Sequence, residues 1–127
     1  MRIALDTNRY RDFCEGNQEV LRHIQRAEQI FLPLPVLGEL RAGFACGTLS
    51  MRNEAILTRF LNEERVSVLC MDESTSFWFA RLFRQLRQQG TPIPTHDLWI
   101  AALVEQHTLL LYTRDRHFEY LPQLALL

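Results

Sequence analysis

The sequence predicts an α/β layer sandwich, and three observations point to it. Four short apolar runs alternate with longer segments of helical periodicity, the order of strands and helices in a parallel-sheet fold. The last of these runs, Leu109 to Thr113, has no polar alternation, as expected of a strand covered on both faces. The chain has 127 residues, 47% of them hydrophobic, which suits one domain with a sizeable core over residues 1–127.

Arg2 to Leu5 reads as a short buried strand ending at Asp6. Val20, Leu21, Ile24 and Ala27 then follow helical spacing. Ile30 to Leu34 is a second strand, and Pro35 is placed to open a helix that runs to about Ala45 and stops near Gly47. Ser50 reads as the cap of the next helix, whose apolar face is Ile56, Leu57, Phe60 and Leu61. Val66 to Leu69 is a third strand. Asp72 caps a long helix with Phe79, Leu82, Phe83 and Leu86 on one stripe, and Gly90 ends it. Thr91 to Pro94 forms a stiff connection. From Thr95 to Gln106 the chain is apolar on every side, the pattern of a buried helix. Leu109 to Thr113 is the fourth strand, His117 to Leu121 a short helical turn, and Leu124 to Leu127 an edge strand.

The composition excludes several classes. A net charge of −1 does not suit a binder that holds nucleic acid by overall basicity. No apolar run is long enough to cross a bilayer and no secretory signal precedes the first apolar segment, so a cytoplasmic location is expected. Cys14, Cys46 and Cys70 are odd in number and share no metal-ligand spacing, so they read as small core residues in a reducing compartment. All 14 basic residues are arginine. Receiver domains, haloacid-dehalogenase-type phosphatases and phosphate-loop hydrolases need a lysine for phosphoryl oxygens, and this chain has none.

Four acids stand beside apolar segments: Asp6 in ALDTN, Glu39 in LGELRAGF, Asp97 in HDLWIAAL and Asp115 in TRDRHF. In a parallel α/β fold the carboxyl ends of strands share an edge with the amino ends of the intervening helices. Asp6 ends the first strand, Asp115 follows the fourth, and Glu39 and Asp97 lie in early helical turns. All four therefore fall at the edge where open α/β sheets carry ligands. Singly, Asp6 and Asp115 could be turn or capping residues, Asp97 could complement a helix dipole, and Glu39 could pair with Arg41 or Arg9. Jointly, a shared site for a hard divalent cation is the simpler account.

The four motifs, in this order and at this spacing, resemble the PIN-domain ribonucleases, and most closely the VapC-type toxins of toxin–antitoxin pairs. The resemblance spans nearly the whole chain. It implies a three-layer α/β/α sandwich with a central parallel sheet of four to five strands. It implies that Asp6, Glu39, Asp97 and Asp115 form an acidic site for magnesium or manganese, supported by Thr7, Asn8 and Thr113. It further implies hydrolysis of RNA, of the transfer or ribosomal class, a VapB-type antitoxin as partner, and a homodimer. His96 and His117 depart from the family pattern, since asparagine is the commoner neighbour of the third acid and some relatives carry a further acid near position 117.

Within that reading Asp6, Asp97 and Asp115 hold the metal, and Glu39 orients the attacking water. Arg9, Arg11, Arg41, Arg114 and Arg116 are candidates to fork onto phosphates, although ion pairing is the simpler role for most of them. Arg9, Arg114, His96 and His117 are the candidate substrate contacts. Zinc is disfavoured because the cysteines lie elsewhere. Phe77, Trp78, Phe79 and Phe83 give one helix more aromatic area than a single face needs, which suits core packing with a remainder for a partner surface. The alternative is a non-catalytic PIN-like module that binds RNA or protein, and such a module would be expected to lose one of the four acids.

Overall fold

The structure, a computed structural model, describes residues 1–127. Its elements are β1 (Arg2–Leu5), α1 (Thr7–Cys14), α2 (Gln18–Arg26), β2 (Gln29–Pro33), α3 (Leu34–Cys46), α4 (Ser50–Leu61), β3 (Val66–Leu69), α5 (Glu73–Gln89), α6 (Thr95–Gln106), β4 (Leu110–Tyr112), a 3-10 helix (Arg116–Tyr120) and β5 (Ala125–Leu126). The five strands form one parallel sheet in the order β3-β2-β1-β4-β5, flanked by helices. This is the predicted fold class.

The strand order decides where a ligand can sit. From β1 the chain builds outward through β2 to β3, then returns to place β4 on the other side of β1. Loops after β1 and β4 therefore diverge and leave a crevice at their carboxyl ends, the topological switch point of an open α/β sheet. The register pairs Ile3 with Leu110, Ala4 with Leu111 and Leu5 with Tyr112, so both strands reach that edge together.

The core is aliphatic along the three middle strands. Ile3, Leu5, Ile30, Leu32 and Leu111 are fully buried, and each such side chain contributes about 1.5–3 kcal/mol relative to exposure. Helix α6 packs as its all-round apolar pattern predicts, burying Leu98, Ile100, Ala101, Ala102, Leu103 and Val104. The cap at Asp72 is a full capping box: its side chain accepts from the Thr75 backbone N–H, and the Thr75 hydroxyl receives the Asp72 N–H. Thr75 Oγ1 also donates to Gln106 Oε1 at 2.7 Å, tying the start of α5 to the end of α6. Gly90 ends α5 with φ 73°, a left-handed conformation that glycine adopts without Cβ strain.

Four expectations are corrected. Helix α1 has no counterpart in the sequence reading, because of its eight residues only Tyr10, Phe13 and Cys14 are apolar and they mark no clear stripe. Ser50 does not cap α4; Leu49 holds that position without a side-chain hydrogen bond, and Ser50 begins the helix. Cys14, Cys46 and Cys70 are all exposed rather than in the core, since each lies at or beyond the end of its element. The α5 stripe is only half buried: Leu82 and Leu86 face the core, Phe79 packs on Trp99 of α6 at 4.2 Å between centroids, and Phe83 is 52% exposed.

Truncating a central-strand side chain leaves a cavity that parallel neighbours cannot refill. Leu32→Ala is expected to lower unfolding free energy by about 2–5 kcal/mol. Cys46→Ser, at an exposed position, should stay within about 0.5 kcal/mol. Denaturant melts of the two variants check this, and a large Cys46→Ser loss would place that cysteine back among the core residues.

Candidate active site

Asp6 sits where the sheet ladder stops. Its backbone N–H donates to the Tyr112 carbonyl at 3.1 Å, joining the ends of β1 and β4. Its carboxylate caps α1 by accepting from the Thr7 N–H at 2.8 Å. The other oxygen accepts from Thr113 Oγ1 at 2.6 Å and from Asn8 Nδ2 at 3.3 Å. Thr113 follows β4, and its hydroxyl oxygen receives the Asp115 N–H at 2.9 Å. Thr7 Oγ1 donates to Glu39 Oε2 at 2.9 Å, which fixes the acid of α3 against α1. Thr7, Asn8 and Thr113 thus all hydrogen-bond to the carboxylates of Asp6 or Glu39.

The two histidines stand among the acids. His117 Nδ1 lies 2.9 Å from Asp97 Oδ2 and 3.1 Å from Asp115 Oδ1, while its own N–H donates to Asp115 Oδ1 at 3.0 Å. His96 Nε2 approaches Glu39 Oε2 at 2.9 Å, a contact without the alignment of a hydrogen bond. Asp6, Glu39, Asp97 and Asp115 together line a cleft of ≈ 740 Å³ with Thr7, Asn8, Arg11, Pro35, Gly38, Pro94, His96 and His117.

Three of the five candidate arginines are held in ion pairs. Arg9 and Arg114 both reach Asp12 Oδ2, at 3.2 and 3.1 Å, and neither lines the cleft. Arg9 also lies over the Tyr112 ring. Arg41 pairs with Glu54 rather than Glu39. Arg11 does line the cleft and makes no salt bridge. Asp12 is a buried acid that the sequence reading lacks, because it lies on the inward side of the helix that reading did not contain. It anchors Arg114, whose backbone N–H donates to Asn8 Oδ1, and so steadies the loop that carries Asp115.

The PIN domain family matches residues 3–124, all but the two ends of the chain. The chain belongs to the PIN-domain family. Among curated relatives it is similar to ribonuclease VapC4 of Mycobacterium tuberculosis, 29% identical over 91 residues that cover 72% of this chain and 70% of the relative. Among solved structures it is similar to VapBC2 from Rickettsia felis bound to a DNA fragment from their promoter, with a TM-score of 0.87, 23% identity, and coverage of 100% of this chain and 98% of that one. FitAcB from Neisseria gonorrhoeae matches with a TM-score of 0.76 and 26% identity, covering 98% of this chain and 95% of the other.

PIN nucleases generally depend on a divalent cation, and this PIN domain has a donor set that fits one. Asp97, Asp115 and His117 each offer a ligand atom, all within 4.8 Å of one another. Asp6 faces the same cleft with its oxygens already oriented. Two ionised carboxylates about 4 Å apart repel by roughly 4 kcal/mol at an effective dielectric near 20, and a dication reverses that sign.

Without a cation the cleft opposes its own charge. Burial raises the Asp6 pKa above its ordinary 3.8; the Thr113 and Thr7 hydrogen bonds pull against this, and Asp97 and Glu39 add to it. Burial likewise raises Asp97, partly countered by the hydrogen bond from His117. His117 is raised above 6.5, chiefly by that hydrogen bond to Asp97, with some loss to desolvation. A raised carboxylate binds more protons folded than unfolded, so stability falls as pH rises from 3.8 through the folded value. A raised histidine stabilises the fold below 6.5, and that contribution is lost as pH rises through its folded value. In the metal-free protein the acids and His117 should therefore each contribute a loss of Tm as pH rises, over two separate ranges, against the opposite contribution of Asp72, whose carboxyl is held low by its capping hydrogen bonds. Asp6→Asn should shrink the loss over the lower range and His117→Gln that over the upper one. Calorimetric Tm measured against pH for the three proteins checks this, and identical profiles would refute the assignment.

Proposed function

We propose that this PIN domain is a magnesium- or manganese-dependent endoribonuclease, the toxin of a VapBC-type toxin–antitoxin pair that inhibits translation. The observation that carries this reading is the meeting of Asp6, Glu39, Asp97 and Asp115 in one polar cleft at the sheet's switch point, in a chain of this family. The likeness to ribonuclease VapC4 and to VapBC structures supports both the chemistry and the setting.

Asp6, Asp97 and Asp115 would hold the cation, and magnesium or manganese suits carboxylate oxygens. When bound, the ion lowers the pKa of coordinated water and offsets charge on the phosphoryl oxygens. The chain's own residues do the rest. Asp6 is locked by Thr7, Asn8 and Thr113, so no side chain has to reorganise as charge develops. Glu39, held by Thr7 and facing His96, orients water for attack on phosphorus and accepts its proton. Water oxygen bonds to phosphorus, the bond to the 3′ oxygen breaks, and that oxygen takes a proton from solvent to leave a 3′-hydroxyl and a 5′-phosphate, while Glu39 returns its proton to solvent.

An acidic cleft repels RNA unless cations grip the backbone beside it. Arg11 is placed for this, since it lines the cleft and carries no ion pair, whereas Arg9 and Arg114 are engaged by Asp12. The substrate is RNA of the transfer or ribosomal class, met in the cytoplasm; no helix is long and apolar enough to cross a membrane. A VapB-type antitoxin is the partner. The α5 face with exposed Phe77 and Phe83 suits self-association as a homodimer.

Two measurements test this reading. Purified protein incubated with RNA and Mg²⁺ or Mn²⁺ should cleave it, chelator should abolish cleavage, and Asp6→Asn should lower the rate by about 100-fold or more. Equal decay in all samples would refute catalysis and favour a non-catalytic binding module. Arg11→Ala should raise KM several-fold with little change in kcat and flatten the salt dependence by about one phosphate contact. A kcat loss at unchanged KM would move Arg11 from substrate binding to the reacting centre.

A further inference from the structure

An oxygen-only site does not explain the place of His117 in the cleft. His117 Nδ1 touches two carboxylates from separate elements at once, Asp97 of α6 at 2.9 Å and Asp115 after β4 at 3.1 Å. A surface ion pair needs only one partner. Here a single ring nitrogen stands within 3.1 Å of both acids, and the three ligand atoms lie within 4.8 Å of one another, close enough for one cation to take all three as ligands. Local structure sets the placement: Asp115 caps the 3-10 helix by accepting the His117 N–H, and the adjacent Phe118 is fully buried and anchors that turn.

We propose that His117 is a direct ligand of the catalytic cation, so that this site binds metal through one imidazole nitrogen beside carboxylate oxygens and prefers manganese to magnesium. The proposal rests on the metal-dependent reading of the cleft. Imidazole is a better donor to a first-row transition ion than to Mg²⁺, which favours oxygen and water. Zinc is not selected, because its sites gather several nitrogen or sulfur ligands and the three cysteines lie outside the cleft. His96 is not part of the set, since its Nε2 faces Glu39. Coordination takes Nδ1 in its unprotonated form, with the lone pair free for the ion.

Pulsed electron paramagnetic resonance of Mn²⁺ bound to the full chain reads the ligand directly. The wild-type protein should bind Mn²⁺ and show the ¹⁴N modulation of a coordinated imidazole. Labelling with ¹⁵N-histidine should replace that modulation whatever the behaviour of any variant. His117→Asp and His117→Gln should abolish it, while His96→Gln should keep it. The ratio of Mn²⁺ to Mg²⁺ affinity, measured by calorimetric titration, should fall by about tenfold in His117→Asp. Bound Mn²⁺ without ¹⁴N modulation would overturn the proposal and leave the metal-dependent nuclease reading intact. Modulation lost in His96→Gln instead would also overturn it, by assigning the nitrogen to the other ring. No Mn²⁺ binding at all, with RNA still cleaved in chelator, would overturn both.

Discussion

A carboxylate withdrawn from water must be met by donors or by a cation, and at Asp6 the structure supplies the donors from both sides of the sheet's centre. Thr7 and Asn8 follow β1, and Thr113 follows β4. Those partners coexist only because β4 returns to lie beside β1, at the point where the strand order reverses. Had β4 been added beyond β3, Thr113 would stand three strands away and Asp6 would have lost its shortest hydrogen bond. The topology and the charge at position 6 are thus one constraint. Two of the remaining acids follow from it, with Glu39 hung on Thr7 and the Asp115 backbone on Thr113.

Much of this is legible in the chain, for physical reasons that differ from place to place. The strands show because a parallel sheet buried on both faces demands unbroken apolar runs, as in Ile3 to Leu5 and Leu109 to Tyr112. Helix α6 shows because apolar residues surround it. The four acids show because each stands next to such a run. Helix α1 does not, because it lies over the site and carries the site's polar residues, so its sequence lacks the apolar stripe that marks a helix. Asp12 is lost with it. The histidines are legible as departures from a family pattern, but that His117 meets two acids depends on a 3-10 turn whose geometry no periodicity encodes.

The ion pairs around Asp12 give the all-arginine composition a structural use. Two guanidinium groups meet one buried carboxylate oxygen, one of them lies over the Tyr112 ring, and the other belongs to the loop that carries Asp115. A planar, always-charged guanidinium stacks on a ring and forks its hydrogen bonds, which a lysine ammonium does not do. Arg9 and Arg114 therefore brace the floor behind the cleft. Arg11, in contrast, lines the cleft and takes no part in these pairs.

A site that repels itself needs a frame that does not yield. Asp6 and Asp97 are each nine-tenths or more buried, and their ionised forms are opposed by burial and by neighbouring acids. The opposing stabilisation comes from the aliphatic middle of the sheet and from α6, whose first turn carries Asp97 and whose next two turns are fully apolar. The same helix thus presents an acid to the cleft from its first turn and buries its middle, Leu98 to Val104, against the core, which fixes the backbone that carries Asp97. Repulsion that the backbone will not relieve can be relieved only by a proton, by the ring of His117, or by a metal ion. Of these, the metal alone brings two positive charges, which is why the rigidity of an ordinary hydrophobic core becomes affinity for a dication at its edge.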